Sequence, residues 1–416
     1  MRIAIIGGGA AGIMTAATLL EKDVNAEIYL FETNSVLGKK VSISGGGRCN
    51  VTTGIIDRNT LLSKYTRGAK FLIPSFYEFP PDKVISWFES KGVPLKTEED
   101  LRVFPESNIG RDVVKVFEKL FKNRIFVHLN ESVERITPLS EKEFHLKTKD
   151  SSYNFNIIVI TSGGNAYRHT GSKGDGYNFA KSCNHTITKL GPSLNSFEVN
   201  QEWCKRLAGI SLQDVKLEFL QKDKSKISVN GPFLFTHFGI SGPVTFALSS
   251  HLAFEEISKE NPKEISFIPT TLNSSFDFWN KELLNIFLKS SKKQVKHIIS
   301  DYIPKRLASE ILTLYKVSPD KKSSEVSREE RKNIAKAFSG EIKLTLVNRM
   351  KGDEFVTAGG VKLDEINKNT MESKITPNLY FAGEVLDVDG LTGGFNLQSA
   401  WATGKLAGLS IARKLS

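Results

Sequence analysis

Three cysteines, Cys49, Cys183 and Cys204, are all that the 416 residues contain, and no two stand in a C-x-x-C pair. So small and irregular a set excludes a disulfide-stapled scaffold, a thioredoxin-like redox motif and a cysteine-rich zinc site. A reducing cytoplasm is the compartment that fits it. Long apolar runs are missing as well: Ile157–Ile160 falls far short of the roughly 20 residues that a membrane-spanning helix requires. The chain opens directly into Arg2–Ile6 and a glycine turn, with no apolar h-region and no small-residue cleavage site, so no signal peptide is expected. There is no H-E-x-x-H, no G-x-S-x-G and no metal-ligand spacing among the seven histidines, which leaves no signature of a zinc peptidase or a serine hydrolase and no expected metal.

What is present describes a globular protein. Charged residues make up 25% and hydrophobic residues 40% of the chain, which argues against disorder, and the length suggests two or three domains. The net charge of +11 is the unusual quantity. It fits an RNA partner, an anionic ligand or a simple compositional bias.

The first fifty residues carry a pattern with a mechanism. Arg2–Ile6 reads as a β-branched strand, followed by Gly7-Gly8-Gly9-Ala10-Ala11-Gly12 and a helical run, Ile13–Lys22. A second strand, Glu27–Phe31, ends at Glu32, twenty residues after Gly12. This is the dinucleotide fingerprint in its proper context. Gly7 permits the tight turn, Gly9 the approach of a pyrophosphate, and Gly12 close helix–strand packing, while the acid accepts from a ribose hydroxyl. Free N–H groups at the helix start then hold the anion. Next comes Ser42-Ile43-Ser44-Gly45-Gly46-Gly47-Arg48-Cys49-Asn50, a loop standing where a simple NAD domain places a helix. Such a loop can wrap a longer ligand, with Asn50 toward a flavin ring and Arg48 toward negative charge.

Two later segments repeat the logic. Asn156–Ile160 reads as an apolar strand running into Thr161-Ser162-Gly163-Gly164. Near the end, the strand Asn378–Ala382 leads into Gly383-Glu384, then a loop with Gly393-Gly394-Phe395-Asn396-Leu397, then a helix over Ser399–Leu409. A helix start behind paired glycines is a second dipole site, suited to the edge of a flavin.

The chain resembles the YhiN/BaiN-like (aminoacetone-oxidase-type) flavoprotein family. The resemblance rests on GGGAAG at Gly7–Gly12, the run from Gly38 to Asn50, GSKGDGY at Gly171–Tyr177, THFGISGP at Thr236–Pro243, TAGGV at Thr357–Val361 and the long motif Leu379–Gly404. It implies an α/β fold: a Rossmann-like, glutathione-reductase-type domain binding FAD non-covalently and interrupted by an insert. It implies cofactor contacts at Gly7, Gly9, Ala10, Ala11, Gly12, Glu32, Lys39, Ser44, Gly45, Gly46, Gly47, Arg48, Cys49, Asn50, Val133, Thr161, Gly163, Gly164, Gly383, Glu384, Gly394, Phe395, Asn396 and Leu397. It also implies one of two reactions, reduction of an activated C=C bond or oxidation of an amine such as aminoacetone. Glu384 stands where many relatives of the superfold carry Asp.

The expected layout is a first flavin segment over 1–191, an insert over 192–350 and a second flavin segment over 351–416. Within the insert, Leu212–Leu220, Lys226–Val229 and Gly231–Thr236 read as strands. Its β part is expected over about 192–270 and 338–350, with helices over about 275–337. Ser327 before Arg328-Glu329-Glu330 reads as an N-cap. His237 is a candidate proton donor or acceptor, since imidazole titrates near neutrality. Cys49 beside Arg48 is a candidate low-pKa thiol. No second G-x-G-x-x-G serves a nicotinamide, so NAD(P)H, as an electron donor, would bind in another way. The expected partner is a small or medium organic substrate held between flavin domain and insert, with no membrane partner and no specified oligomeric state. Lys281–Lys336 carries 14 Lys/Arg against 7 Asp/Glu. Its Lys-Ser runs read as solvated surface, so an RNA-binding or nucleotide-modifying flavoprotein stands as the alternative.

Overall fold

The computed structural model describes residues 1–350, 352 and 354–416. It divides into two compact units, one built from Met1–Ser193 and Glu354–Ser416, the other from Leu194–Asp353.

The first unit is built on a five-stranded parallel sheet. β1 (Arg2–Ile6) lies between β2 (Glu27–Glu32) and the strand Ile157–Ile160, with Leu379–Phe381 and Phe126–Leu129 at the edges. Ile3 pairs with Ile157 on one side and Ile28 on the other. Ile3, Ala4 and Ile5 are fully buried, as expected of a parallel strand covered on both faces. Helix α1 (Ala10–Glu21) packs against the C-terminal helix Phe395–Leu415. Small residues set that approach. A Cβ on Gly404 would sit 2.4 Å from the Ala11 carbonyl oxygen, and one on Gly408 2.7 Å from Thr18 Cβ. The Thr15 hydroxyl donates to the carbonyls of Ala11 (2.9 Å) and Gly404 (3.0 Å), joining the two helices. Trp401 is fully buried, donates through Nε1 to the Val51 carbonyl at 3.0 Å and stacks on Phe117.

The second unit holds a closed antiparallel barrel in the order Phe197–Val199, Gly239–Ser241, Lys226–Phe235, Ser211–Leu220, Lys263–Ile268, Ile342–Arg349. The helices Phe276–Lys289, Val295–Ile299, Lys305–Leu314 and Arg328–Lys336 share one apolar core with it, in which Phe235 and Phe267 of the barrel join Trp279, Leu307 and Phe338. Ser327 caps Arg328–Lys336 in a reciprocal capping box with Glu330.

Three local readings need correction. The segments Lys226–Val229 and Gly231–Thr236 form one strand, Lys226–Phe235. Asn230-Gly231-Pro232 resembles a turn, but the register jumps from Leu212↔Phe233 to Val215↔Gly231, so the proline without an N–H faces a bulge instead of a ladder position. The loop after β2 contains a short helix, Lys39–Ile43. The C-terminal helix starts at Phe395, not Ser399. Among the described residues, no helix is long and apolar enough to cross a membrane, and no cluster of three or more His, Cys, Asp or Glu is placed to hold a metal.

The close crossing at Gly404 has a measurable consequence. Gly404→Val is expected to destabilise the protein by about 1–3 kcal/mol, the usual cost of overpacking a filled core. It would be read as a lowered thermal midpoint.

Candidate functional site

β1 ends where Gly7 turns with φ +106°, its N–H donating to the Phe31 carbonyl at 2.9 Å. A Cβ on Gly7 would lie 2.6 Å from the Thr161 carbonyl oxygen, and one on Gly12 2.0 Å from the Gly7 carbonyl oxygen. The Thr161 hydroxyl closes the junction by donating to the carbonyls of Ile6 (3.0 Å) and Gly7 (2.9 Å). Gly9 differs from both: nothing lies within 4 Å of its Cβ position. Gly9 is also the N-cap of α1, with no side-chain cap and no acid in the first turn. The helix start therefore offers N–H groups and a positive dipole end to open space.

Glu32 is nearly buried at the end of β2. Its Oε2 accepts from the Gly8 N–H at 2.8 Å, and its Oε1 accepts from the Asn34 backbone N–H at 2.8 Å and from Asn34 Nδ2 at 2.6 Å. These bonds fix the carboxylate at the mouth of the glycine turn, and a carboxylate retains further acceptor sites. Lys39 donates to Asn34 Oδ1 (3.2 Å) and the His169 carbonyl (3.0 Å).

In the following loop Gly46 (φ +71°) and Gly47 (φ +87°) also face open space. Gly45 does not, since its Cβ would meet Phe104 at 2.9 Å. Ser44 donates to the Val41 carbonyl at 2.8 Å. Arg48 is engaged, 2.6 Å from Glu98 and 3.8 Å above the Phe104 ring. The negative charge that Arg48 faces within the fold is thus that of Glu98. Asn50 Oδ1 accepts from the Val103 N–H at 3.3 Å and lies 3.0 Å from where a Gly394 Cβ would be. Cys49 is fully buried, and burial pushes its thiol up to about 12. At neutral pH it is a thiol and not a thiolate, so the low-pKa reading is corrected and the side chain belongs to the core.

The second glycine stretch joins the third. A Cβ on Gly164 would lie 2.6 Å from Thr357 Oγ1 and 2.9 Å from Glu384 Oε1. Glu384 Oε1 accepts from the Thr357 N–H at 3.0 Å, and its Oε2 pairs with Lys40 at 2.8 Å. Gly163 turns at φ +75° and Gly383 at φ +80°, and the Gly383 N–H donates to Thr403 Oγ1 at 3.0 Å. Gly394 (φ +86°) starts the C-terminal helix without a side-chain cap, and its Cβ would lie 2.3 Å from the Thr52 carbonyl oxygen. Asn396 braces the preceding loop through both side-chain atoms, accepting from the Gly390 N–H (2.9 Å) and donating to its carbonyl (2.8 Å). Phe395 is buried and Leu397 partly so, and the Phe395 carbonyl accepts from the Tyr65 hydroxyl at 2.6 Å.

The fold thus links Glu32 to Gly8, Gly7 to Thr161, Gly164 to Glu384, Gly383 to Ala11 and Gly394 to Asn50. Val133, half-buried at the start of a strand of a separate antiparallel sheet, enters none of these contacts. His237 lies in the other unit, exposed on the turn between Lys226–Phe235 and Gly239–Ser241, with its ring edge-on to Phe238. Sequence reasoning missed Lys40, Thr357 and the buried Asp389, which is held by Arg67 and by the Ser193 hydroxyl at 2.8 Å. The Lys39-Lys40 pair was the visible signal for the first; pairing at such sequence separations gave none for the others.

Open space at Gly9, Gly46 and Gly47, two uncapped helix starts and a fixed carboxylate together make a cradle that fits FAD. Comparison with known proteins agrees. Residues 1–410 match the family described as HI0933-like protein Rossmann domain. A 3-dehydro-bile acid delta(4,6)-reductase of Clostridium scindens is 29% identical over 419 residues, 99% of each chain. A ribosomal RNA dihydrouridine synthase of Haemophilus influenzae is 28% identical, covering 99% of this chain and 98% of the relative. Among solved structures, a 3-ketosteroid delta1-dehydrogenase from Sterolibacterium denitrificans superposes with TM-score 0.52 at 11% identity, covering 99% of both chains, which supports the fold. The fold and site define a Rossmann-type FAD flavoprotein, an oxidoreductase. The chain belongs to the HI0933-like family, to which its YhiN/BaiN-like resemblance pointed.

The contrast between two glycines tests the cradle. Gly9→Glu is expected to purify folded, with an unchanged circular dichroism spectrum, but with at least tenfold less bound flavin by visible absorbance. Gly12→Val, which meets backbone, is expected to lose the fold itself.

Proposed function

We propose that this protein is an FAD-dependent reductase of a C=C bond conjugated to a carbonyl group. The observation that carries this reading is the chemistry shared by two full-length relatives. One is named for reducing ring double bonds of a 3-dehydro bile acid, the other for making dihydrouridine in ribosomal RNA. Those substrates differ in nearly everything except a ring C=C conjugated to a carbonyl, which gains two hydrogens. Neither name concerns an amine, so the reductase reading is favoured over the amine-oxidase one.

The chain's own residues divide the work. The N–H groups at the start of α1 and the space at Gly9 would receive the pyrophosphate. Glu32 would accept from the adenosine ribose. The start of the C-terminal helix at Gly394 and the loop Gly45–Asn50 would lie along the ring system, where backbone dipoles stabilise negative charge. When bound, the flavin supplies hydride chemistry. A conjugated alkene that receives hydride at its β-carbon needs a proton at its α-carbon, and His237 is our candidate for that proton. Its ring is exposed and, among the described residues, is not ion-paired. Cys49 is given no chemical role. NAD(P)H is the proposed donor of electrons. With one nucleotide-binding fingerprint in the chain, donor and acceptor would use the site in turn.

Under anaerobic conditions the photoreduced protein is expected to be reoxidised by a cyclic enone or by uridine, while the oxidised protein is expected not to be reduced by an amine such as aminoacetone. An unchanged reduced spectrum with every conjugated alkene would overturn the reading. His237→Gln is expected to slow this reoxidation by about 10²-fold or more, the usual contribution of a positioned acid, with flavin content unchanged.

A further inference from the structure

The lysine-rich runs of the helical part look in sequence like separate stretches of solvated surface. The fold makes them one feature. The segment after helix Phe276–Lys289 runs antiparallel to residues 318–324, joined by a bridge between Gln294 and Lys322. Val295 N–H donates to the Lys321 carbonyl and Ser323 N–H to the Lys293 carbonyl, both at 2.9 Å. Lys296 N–H reaches the Pro319 carbonyl at 3.1 Å, and Ser324 N–H the Ser291 carbonyl at 3.2 Å. Ser323 is buried beneath the seam, its hydroxyl donating to the Ser290 carbonyl at 2.7 Å. Val295, Ile298 and Phe287 anchor it to the core.

Residues 289–296 and 318–324 together hold six lysines and one acid, Asp320, with serines between them. Asp320 is taken by Lys296, and Lys321 pairs with Glu330 at 2.9 Å. Lys289, Lys292, Lys293 and Lys322 are exposed, and among the described residues they form no ion pair. Like charges held side by side on a hydrogen-bonded frame repel one another. A polyanion relieves that repulsion and gains from counterion release. The seam contains no aromatic residue, so it lacks the means to stack bases; it matches a sugar-phosphate backbone, which lysine and serine side chains contact without reading sequence.

We infer that this seam is an RNA-backbone binding surface, engaging phosphates through Lys292, Lys293 and Lys322. That the uracil ring of the bound RNA is also the reduced alkene rests on the proposed reductase reading; the binding surface does not.

The test uses the full-length, FAD-loaded protein and a fluorescein-labelled, uridine-containing RNA hairpin, with anisotropy followed from about 50 to about 200 mM salt. The triple variant Lys292→Gln, Lys293→Gln, Lys322→Gln is expected to weaken binding at least tenfold. Its plot of log affinity against log salt should become shallower by about two, three contacts at roughly 0.7 each. A control with the same net charge, Lys222→Gln, Lys224→Gln, Lys259→Gln, removes exposed lysines of the barrel loops and is expected to bind as the parent does. Equal losses in both variants would overturn the inference, because the binding would then be diffuse. No RNA binding by the parent at low salt would also overturn it, as would lysine-dependent binding to phosphatidylserine vesicles without RNA binding. Reduction of free uridine or an enone is measured alongside. Its failure counts against the reductase reading alone, while its persistence in the seam variant shows that the cofactor site is intact.

Discussion

Helix α1 begins directly against the end of β1 because Gly7 and Gly12 have no side chains. A single methyl at Gly12 would sit 2.0 Å from the Gly7 carbonyl oxygen. The rest of the nucleotide-binding unit follows from that contact. With α1 pressed onto the sheet, its uncapped start points outward at Gly9. Its length then presents Ala11, Thr15 and Thr18 to the C-terminal helix, which approaches at Gly404 and Gly408. The Thr15 hydroxyl, bonded to carbonyls of both helices, satisfies a polar group inside a contact otherwise made of small residues. The first and last helices of the chain are thereby locked together, and each contributes an uncapped N-terminus to the same unit.

The charged side chains around this cradle are already committed. Arg48 is held by Glu98, Lys40 by Glu384, and Lys39 by Asn34 and a carbonyl. What the cradle leaves uncommitted for negative charge on a ligand is chiefly backbone N–H groups and helix dipoles. This arrangement has a physical advantage. A buried unpaired cation carries a large desolvation penalty before the ligand arrives, whereas a helix start carries its partial charge at no such cost. Glu32 follows the same rule: it is kept nearly buried by three N–H donors that hold it in place.

Much of this was legible in the sequence because it is local. The glycine spacing, the strand before it and Glu32 after it lie within some thirty residues, and each residue type has a steric reason to be there. Ser327 and Glu330 announced their helix in the same way. The barrel was not legible as a closed object. Its first and last strands are separated by most of the insert, and one of its two ten-residue strands passes through Asn230-Gly231-Pro232, whose turn chemistry is overridden by a bulge in the partner strand. Nor was the burial of Cys49 readable. An adjacent arginine suggested a lowered pKa, but Arg48 turns to Glu98 and Phe104 while the thiol enters the core.

Reduction of a conjugated alkene requires a hydride at one carbon, a proton at the next and exclusion of competing chemistry; it does not require a particular ring. The cradle's residues are the ones proposed to hold the cofactor, and none of them is proposed to contact the substrate. Substrate identity must then be set by surfaces outside the fingerprint, as is general for folds that host many activities. The insert is the part of this chain with features to spare for that task. Its barrel and helices share one apolar core, and its helical face carries, on one hydrogen-bonded seam, lysines that form no ion pair among the described residues. Lys289, Lys292, Lys293 and Lys322 share that frame, where Asp320 and Glu330 answer only Lys296 and Lys321, and a backbone of phosphates is the partner that such a frame matches.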